Sequence, residues 1–141
     1  MGCSSAVGRS QSFFKKGPLK IQGFTMIDIS TRADIERLVD SFYGRVKLHP
    51  LLGPQFMHVN WVTHLPVMYD FWSSMLLGDQ TYHGSPFQKH VNLPINREHF
   101  AAWLELFNQT IDEAFRGEKA DEIKSRAQSI AGIFQHKMGL M

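Results

Sequence analysis

The run from Trp61 to His90, WVTHLPVMYDFWSSMLLGDQTYHGSPFQKH, limits the folds open to this chain more than any other stretch. Its first half places Trp61, His64, Leu65, Met68, Phe71, Trp72, Met75 and Leu76 on one broad helical face. Gly78 ends that pattern as glycine commonly does just past a helix. Residues 79–95 then hold Gly84, Pro86 and Pro94, with little periodicity and room for only a turn or two of helix around Phe87–Val91. That short stretch delivers His90. One histidine thus stands on a helix wall and a second arrives after a loop, an arrangement able to hold a flat cofactor between them.

The surrounding chain supplies the rest of a helical frame. Thr31 followed by Asp34 resembles a capping box, and Ile35, Leu38, Val39, Phe42 and Val46 continue at helical spacing, with Tyr43 turned inward beside Phe42. His49-Pro50 ends this helix, because proline disfavours a helical residue before it. Leu51-Leu52-Gly53-Pro54 forms a tight corner that sets Phe56 against the core. Asn60 caps the next helix. Pro66 lies within it and removes a hydrogen bond at a cost of about 3 kcal/mol in a helix interior, so the helix is expected to begin near Thr63 or to have an irregular first turn. After the loop, Asn96 caps a stripe of Phe100, Trp103, Leu104, Phe107, Ile111 and Phe115, which Gly117 breaks. Ile123, Ala127, Ile130, Ala131 and Phe134 make the last stripe. There are no repeats and no convincing strands. The expected class is all-α, with two long helices on each side of a loop that carries a histidine. Long loops inside compact domains usually serve function.

Composition narrows the function classes. A chain of 141 residues fits one domain. The formal charge of +2 is too small to argue for nucleic acid, and Lys15, Lys16 and Lys20 place part of it near the N-terminus. Cys3 is the only cysteine, so an intrachain disulfide and a cysteine zinc site are both excluded, and a reducing, cytoplasmic setting is the natural expectation. No apolar run approaches the ~20 residues of a membrane span. Aromatics at 12% exceed what a small helical core needs and suggest an aromatic-lined pocket. Residues 1–25 read as a flexible tail before a domain spanning 26–141, with Met26 as an alternative start. Gly2 beside Cys3 would suit dual acylation, but that motif asks for Ser or Thr where this chain has Ala6.

The chemistry rests on histidines and on donors carried by aromatic rings. His49, His58 and His136 fall in turn or terminal settings and are expected in solvent, and no close-spaced zinc pattern occurs. A core histidine with satisfied nitrogens is the plainer account of His64. His90 follows Phe87 on a segment too short to be held by its own helical hydrogen bonds. Ligation of haem iron would order it, since a proximal histidine anchors haem in globins. Tyr43 and Trp103 sit on the inner stripes of different helices. Each is either a core aromatic whose polar tip finds a backbone carbonyl, or a donor aimed at one ligand. Donors at a bound, polarised O2 favour it by roughly 1.5–3 kcal/mol each. No P-loop, GxGxxG or GxSxG elbow is present.

The segments FYGRV, LLGPQF, HLPVMYDFWSSMLLG and YHGSPFQKHVNLPINREHFAAWLELFNQTIDEAF closely resemble the group III truncated haemoglobins of bacteria, in order and at fitting distances, over about residues 31–137. The resemblance implies a two-over-two helical sandwich around haem b. It implies that His90 is the proximal iron ligand and that Tyr43, His64 and Trp103 are distal residues. It also implies that Phe56 packs on the haem and that Phe71 and Trp72 line its pocket, with Met68 on the same helical face. The ligands implied are O2, NO and CO, with NO dioxygenase or peroxidase-like turnover as the enzymatic reading and a reductase as partner. No nucleic acid or membrane partner is expected. A ligand sensor or electron-transfer globin without turnover, with His64 coordinating iron at rest, is the second reading, and an all-α interaction module without cofactor is the third.

Overall fold

The structure, a computed structural model, describes residues 19–21 and 24–140. Five α-helices appear among the described residues: α1 (Arg32–Leu48), α2 (Trp61–Leu77), α3 (Pro86–His90), α4 (Arg97–Ala114) and α5 (Glu118–Lys137), with a 3₁₀ turn at Gly53–Phe56. The four long ones pack as two pairs, α1 with α2 and α4 with α5. The pairs lie on one another through α1 against α4 and α2 against α5.

Most helix ends follow the local chemistry. The Thr31 hydroxyl accepts from Asp34 N at 3.2 Å and the Asp34 carboxylate accepts from Thr31 N at 3.1 Å, a complete capping box. The Asn60 side chain caps α2, and the Asn96 side chain caps α4 by accepting from Glu98 N and His99 N. Gly78 closes α2 at φ 80°, in the left-handed region where glycine carries no Cβ penalty. The helix runs through Pro66 from Trp61 onward, and its first turn is tightened, with Thr63 N and His64 N both donating to Asn60 O. The missing proline N–H falls opposite the carbonyl of Val62, an exposed residue.

Two expectations are corrected. The chain does contain strands: β1 (Leu19–Ile21) and β2 (Phe24–Met26) pair antiparallel, with Leu19 opposite Met26 and Ile21 opposite Phe24. Each is a three-residue apolar–polar–apolar alternation, too short to register as a sustained period. The tail expected over 1–25 is therefore strand where it is described. Residues 1–18, including the Gly2-Cys3 pair, lie outside the described residues. His49 is also not simply solvated. It is half-buried, and its Nδ1 accepts from Leu51 N at 3.1 Å and Leu52 N at 3.3 Å, shaping the corner after α1.

The core is centred on Phe42 and Phe107, whose rings meet edge to face at 4.9 Å. Phe107 is fully buried and stacks on both Trp72 and Trp103 at 5.1 Å. Loss of such a ring costs about 3–5 kcal/mol. A second, smaller cluster gathers Phe100, Ala131 and Phe134, with Phe87 of α3 and Ile95 packed on it. Leu104 and Ile130 touch both clusters. Polar ties fix α1 on its neighbours: Arg32 to Asp70 at 2.8 Å, Arg45 to Glu113 at 2.5 Å, and the Tyr69 hydroxyl to Asp40. No described helix is long and apolar enough to cross a membrane.

Candidate functional site

Four aromatic rings close around one point at the junction of α1, the 3₁₀ turn and α2. Tyr43 reaches it because it lies on the buried face of α1, one residue past Phe42. Its ring stands 5.8 Å from Phe56, 5.3 Å from Trp61 and 5.6 Å from His64. Trp61 stacks on Phe56 at 5.8 Å and meets His64 edge to face at 5.5 Å. The His64–Trp61 pairing follows from their three-residue separation on one helix. Tyr43 and Phe56 arrive from elsewhere in the chain, Phe56 by way of the corner at Gly53. A Cβ at Gly53 would lie 2.8 Å from the Lys47 carbonyl oxygen, so this close approach requires glycine.

The side chains of His64 and Tyr43 in this cluster have no hydrogen-bond partner among the described residues. His64 Nε2 is buried and makes no hydrogen bond among the described residues. The Tyr43 hydroxyl, on a residue only 5% exposed, makes none with a described residue either. A buried donor without a partner costs about 1–3 kcal/mol, so such groups normally mark a ligand, a water or a functional strain. Burial pushes the Tyr43 phenol well above its ordinary range. Burial also lowers the His64 imidazole from its ordinary 6.5, with smaller contributions from the charges of His90 and Lys89, which are near enough to act on it. Both groups are therefore neutral donors at neutral pH.

His90 ends the five-residue helix α3. Its Nδ1 lies 2.6 Å from the Pro86 carbonyl oxygen, which can only accept, so Nδ1 carries the proton. Nε2 is left with its lone pair free to bind a metal. The ring rests 5.2 Å from Phe134, and Phe87 packs on the same phenylalanine at 5.4 Å. Packing on α5 thus orders the segment that its own backbone bonds cannot hold.

The remaining expected residues divide. Met68 is half-buried against the main core. Trp103 is half-buried, stacked on Phe107 with an interplanar angle of 9° and edge-on to Phe42 at 5.8 Å. Among the described ring contacts it reaches Tyr43 only through Phe42. Phe71 and Trp72 are buried in the core, Phe71 against Tyr82 at 5.1 Å. Sequence reasoning placed Trp61 on the helix stripe without assigning it to the site. Its three-residue spacing from His64 was the available signal. Among the described residues no three His, Cys, Asp or Glu side chains gather as a metal cluster. A single imidazole with a free Nε2 and, apart from it, the buried unpartnered His64 Nε2 beside the Tyr43 phenol fit a planar iron cofactor that keeps one coordination position for a small ligand.

Comparison with known proteins identifies the family. Residues 27–138 match the family described as bacterial-like globin. The group 3 truncated hemoglobin ctb of Campylobacter jejuni subsp. jejuni is 35% identical over 111 residues, covering 74% of this chain and 87% of that one. The crystal structure of a group III truncated hemoglobin from Campylobacter jejuni superposes with a TM-score of 0.74 at 32% identity, covering 80% of this chain and 94% of its own. A truncated oxygen-avid haemoglobin from Bacillus subtilis superposes at 0.66 with 28% identity, covering 74% and 92%.

Proposed function

This chain belongs to the bacterial-like globins as a group III truncated haemoglobin, and on that premise we propose that it holds haem b on His90 and binds O2, NO and CO beneath Tyr43, His64 and Trp103. When bound, the haem iron supplies a coordination position for these diatomics and the electron exchange that redox chemistry on them requires.

The chain's own residues do the rest. His90 presents Nε2 to the iron, and the Pro86 carbonyl holds the ring in that tautomer. Tyr43 and His64 would offer neutral donors from an apolar wall to a bound ligand. Trp103 adds a third from α4. Phe56 would pack on the haem, with Met68, Phe71 and Trp72 on the α2 side. Strong donation slows O2 release. That argues against bulk transport and for redox turnover, either oxidation of NO to nitrate with O2 or reduction of peroxide, with a reductase as the electron source. We read the protein as cytoplasmic on its single cysteine.

The observation that carries this reading is the buried His64 Nε2, which has no hydrogen-bond partner among the described residues, on a ring 5.6 Å from that of Tyr43. The test is haemin reconstitution followed by NO turnover of the reduced oxygenated protein with a regenerating reductant. A Soret band lost in His90→Ala, with catalytic NO consumption, is expected. A colourless protein that takes up no haemin would point instead to a cofactor-free helical interaction module. The same orphaned nitrogen favours one further reading, a sensor or electron-transfer globin in which His64 takes the sixth iron position at rest. A six-coordinate ferrous spectrum abolished by His64→Ala would select it.

A further inference from the structure

We propose that Trp61, held by the Lys47 cation, is the positioning residue that keeps the His64 imidazole in the ligand pocket. The inference rests on the haem reading above and adds two residues to it.

His64 has no hydrogen bond among the described residues to fix its ring. The rings beside it are Trp61 at 5.5 Å, Tyr43 at 5.6 Å and Phe56 at 6.5 Å. A side chain held by packing takes the orientation its walls allow, and Trp61 is the wall on its own helix, three residues earlier. It contacts all three, stacked on Phe56 at an interplanar angle of 24° and edge-on to His64 at 81°. Unlike Tyr43, which is buried on α1, Trp61 is only half-buried and opens α2 where the chain has just left the corner. A half-buried indole at a helix start needs something to hold it. Lys47 Nζ lies 4.6 Å from the centre of the Trp61 ring. Lys47 is exposed, and no carboxylate lies within ion-pair distance of its ammonium among the described residues. The backbone sets this geometry: the close approach of Gly53 to the Lys47 carbonyl folds the corner tightly enough to bring Trp61 back over the end of α1.

A cation over an exposed indole shifts such an equilibrium about two- to fivefold. Oxygen dissociation is measured by stopped flow on the ferrous protein for wild type, Lys47→Gln, Lys47→Arg and Trp61→Leu, and for Lys47→Gln combined with His64→Ala. Lys47→Gln speeds dissociation by about two- to fivefold. Lys47→Arg keeps the wild-type rate, because guanidinium also seats on an indole face. In the His64→Ala background the Lys47→Gln effect vanishes, since the residue being positioned is gone. Proton NMR of the diamagnetic CO form shows the His64 ring signals losing their ring-current displacement in Lys47→Gln. An unchanged dissociation rate in Lys47→Gln, or an effect that persists undiminished without His64, overturns the proposal. Should Trp61→Leu fail to fold, the Lys47 variants decide alone, because Lys47 is on the surface. Failure of the haem reading is separate: a wild-type chain that takes up no haemin refutes that reading, and the positioning then stands or falls on the His64 ring shift in the purified protein.

Discussion

The Nδ1 atom of His90 lies 2.6 Å from the carbonyl oxygen of Pro86, four residues earlier in the same short helix. The contact occupies Nδ1 and leaves Nε2 as the one nitrogen able to bind iron. Replacement of His90 by Ala is expected to abolish the Soret band, and added imidazole to restore it in part by occupying the vacated position. Absorbance during haemin titration checks both outcomes.

Tyr43→Phe separates ligand stabilisation from fold stability. The hydroxyl bonds to no described residue, so its removal leaves thermal stability of the haem-free chain unchanged or slightly raised. The same substitution removes a donor worth roughly 1.5–3 kcal/mol to a polarised ligand and speeds O2 release by one to two orders of magnitude. Calorimetry and stopped-flow dissociation measure the two effects independently. A large loss of stability with unchanged release would refute the donor role.

The start of α5 is capped from the far end of the chain. The Asp28 carboxylate accepts from Lys119 N and Ala120 N, each at 2.9 Å, while Arg116 N donates to the Ile27 carbonyl at 3.0 Å. Asp28→Ala removes an N-terminal cap and is expected to cost about 1–2 kcal/mol in denaturant melts. Gly117→Ala is expected to cost at least as much, since Gly117 has φ 148° and an added Cβ would lie 2.4 Å from the Asp28 side chain. A protein starting after Ile29 would lose the cap altogether and melt earlier than one starting at Met26.

Asp34 gives the acid limb of stability. Burial by itself raises its carboxyl pKa, but hydrogen bonds from Ser30 N and Thr31 N and the Arg37 guanidinium outweigh this, bringing it from 3.8 to about 2. The folded state therefore binds this proton less readily than the unfolded chain. The resulting stability is complete above about pH 4 and is lost as the pH falls toward 2. Thermal melts of Asp34→Ala across that interval should show a shallower pH slope than wild type.

Much of this was legible in the residues. The stripe of Ile35, Leu38, Val39, Phe42 and Val46, the caps at Thr31, Asn60 and Asn96, and the stop at Gly78 all appear where pattern placed them. The three-residue strands escaped because they are shorter than any window that distinguishes alternation from chance. His49 escaped because its bonds to Leu51 N and Leu52 N depend on a corner whose shape only the folded backbone sets.

The sequence by itself determined four long helices, the loop that carries His90 and the family to which the chain belongs. The helices and the loop follow from periods and caps, which are interactions among residues within about two turns of one another, and the family follows from the resemblance of four ordered motifs. Only the tertiary structure decided which groups meet: Asp28 with Lys119 across 91 positions, Lys47 with Trp61 around a corner, and His64 Nε2 buried with no partner among the described residues. The reason is physical. A local pattern fixes the face on which a side chain lies, whereas its partner depends on how whole helices dock, and docking is set by the summed packing of the core.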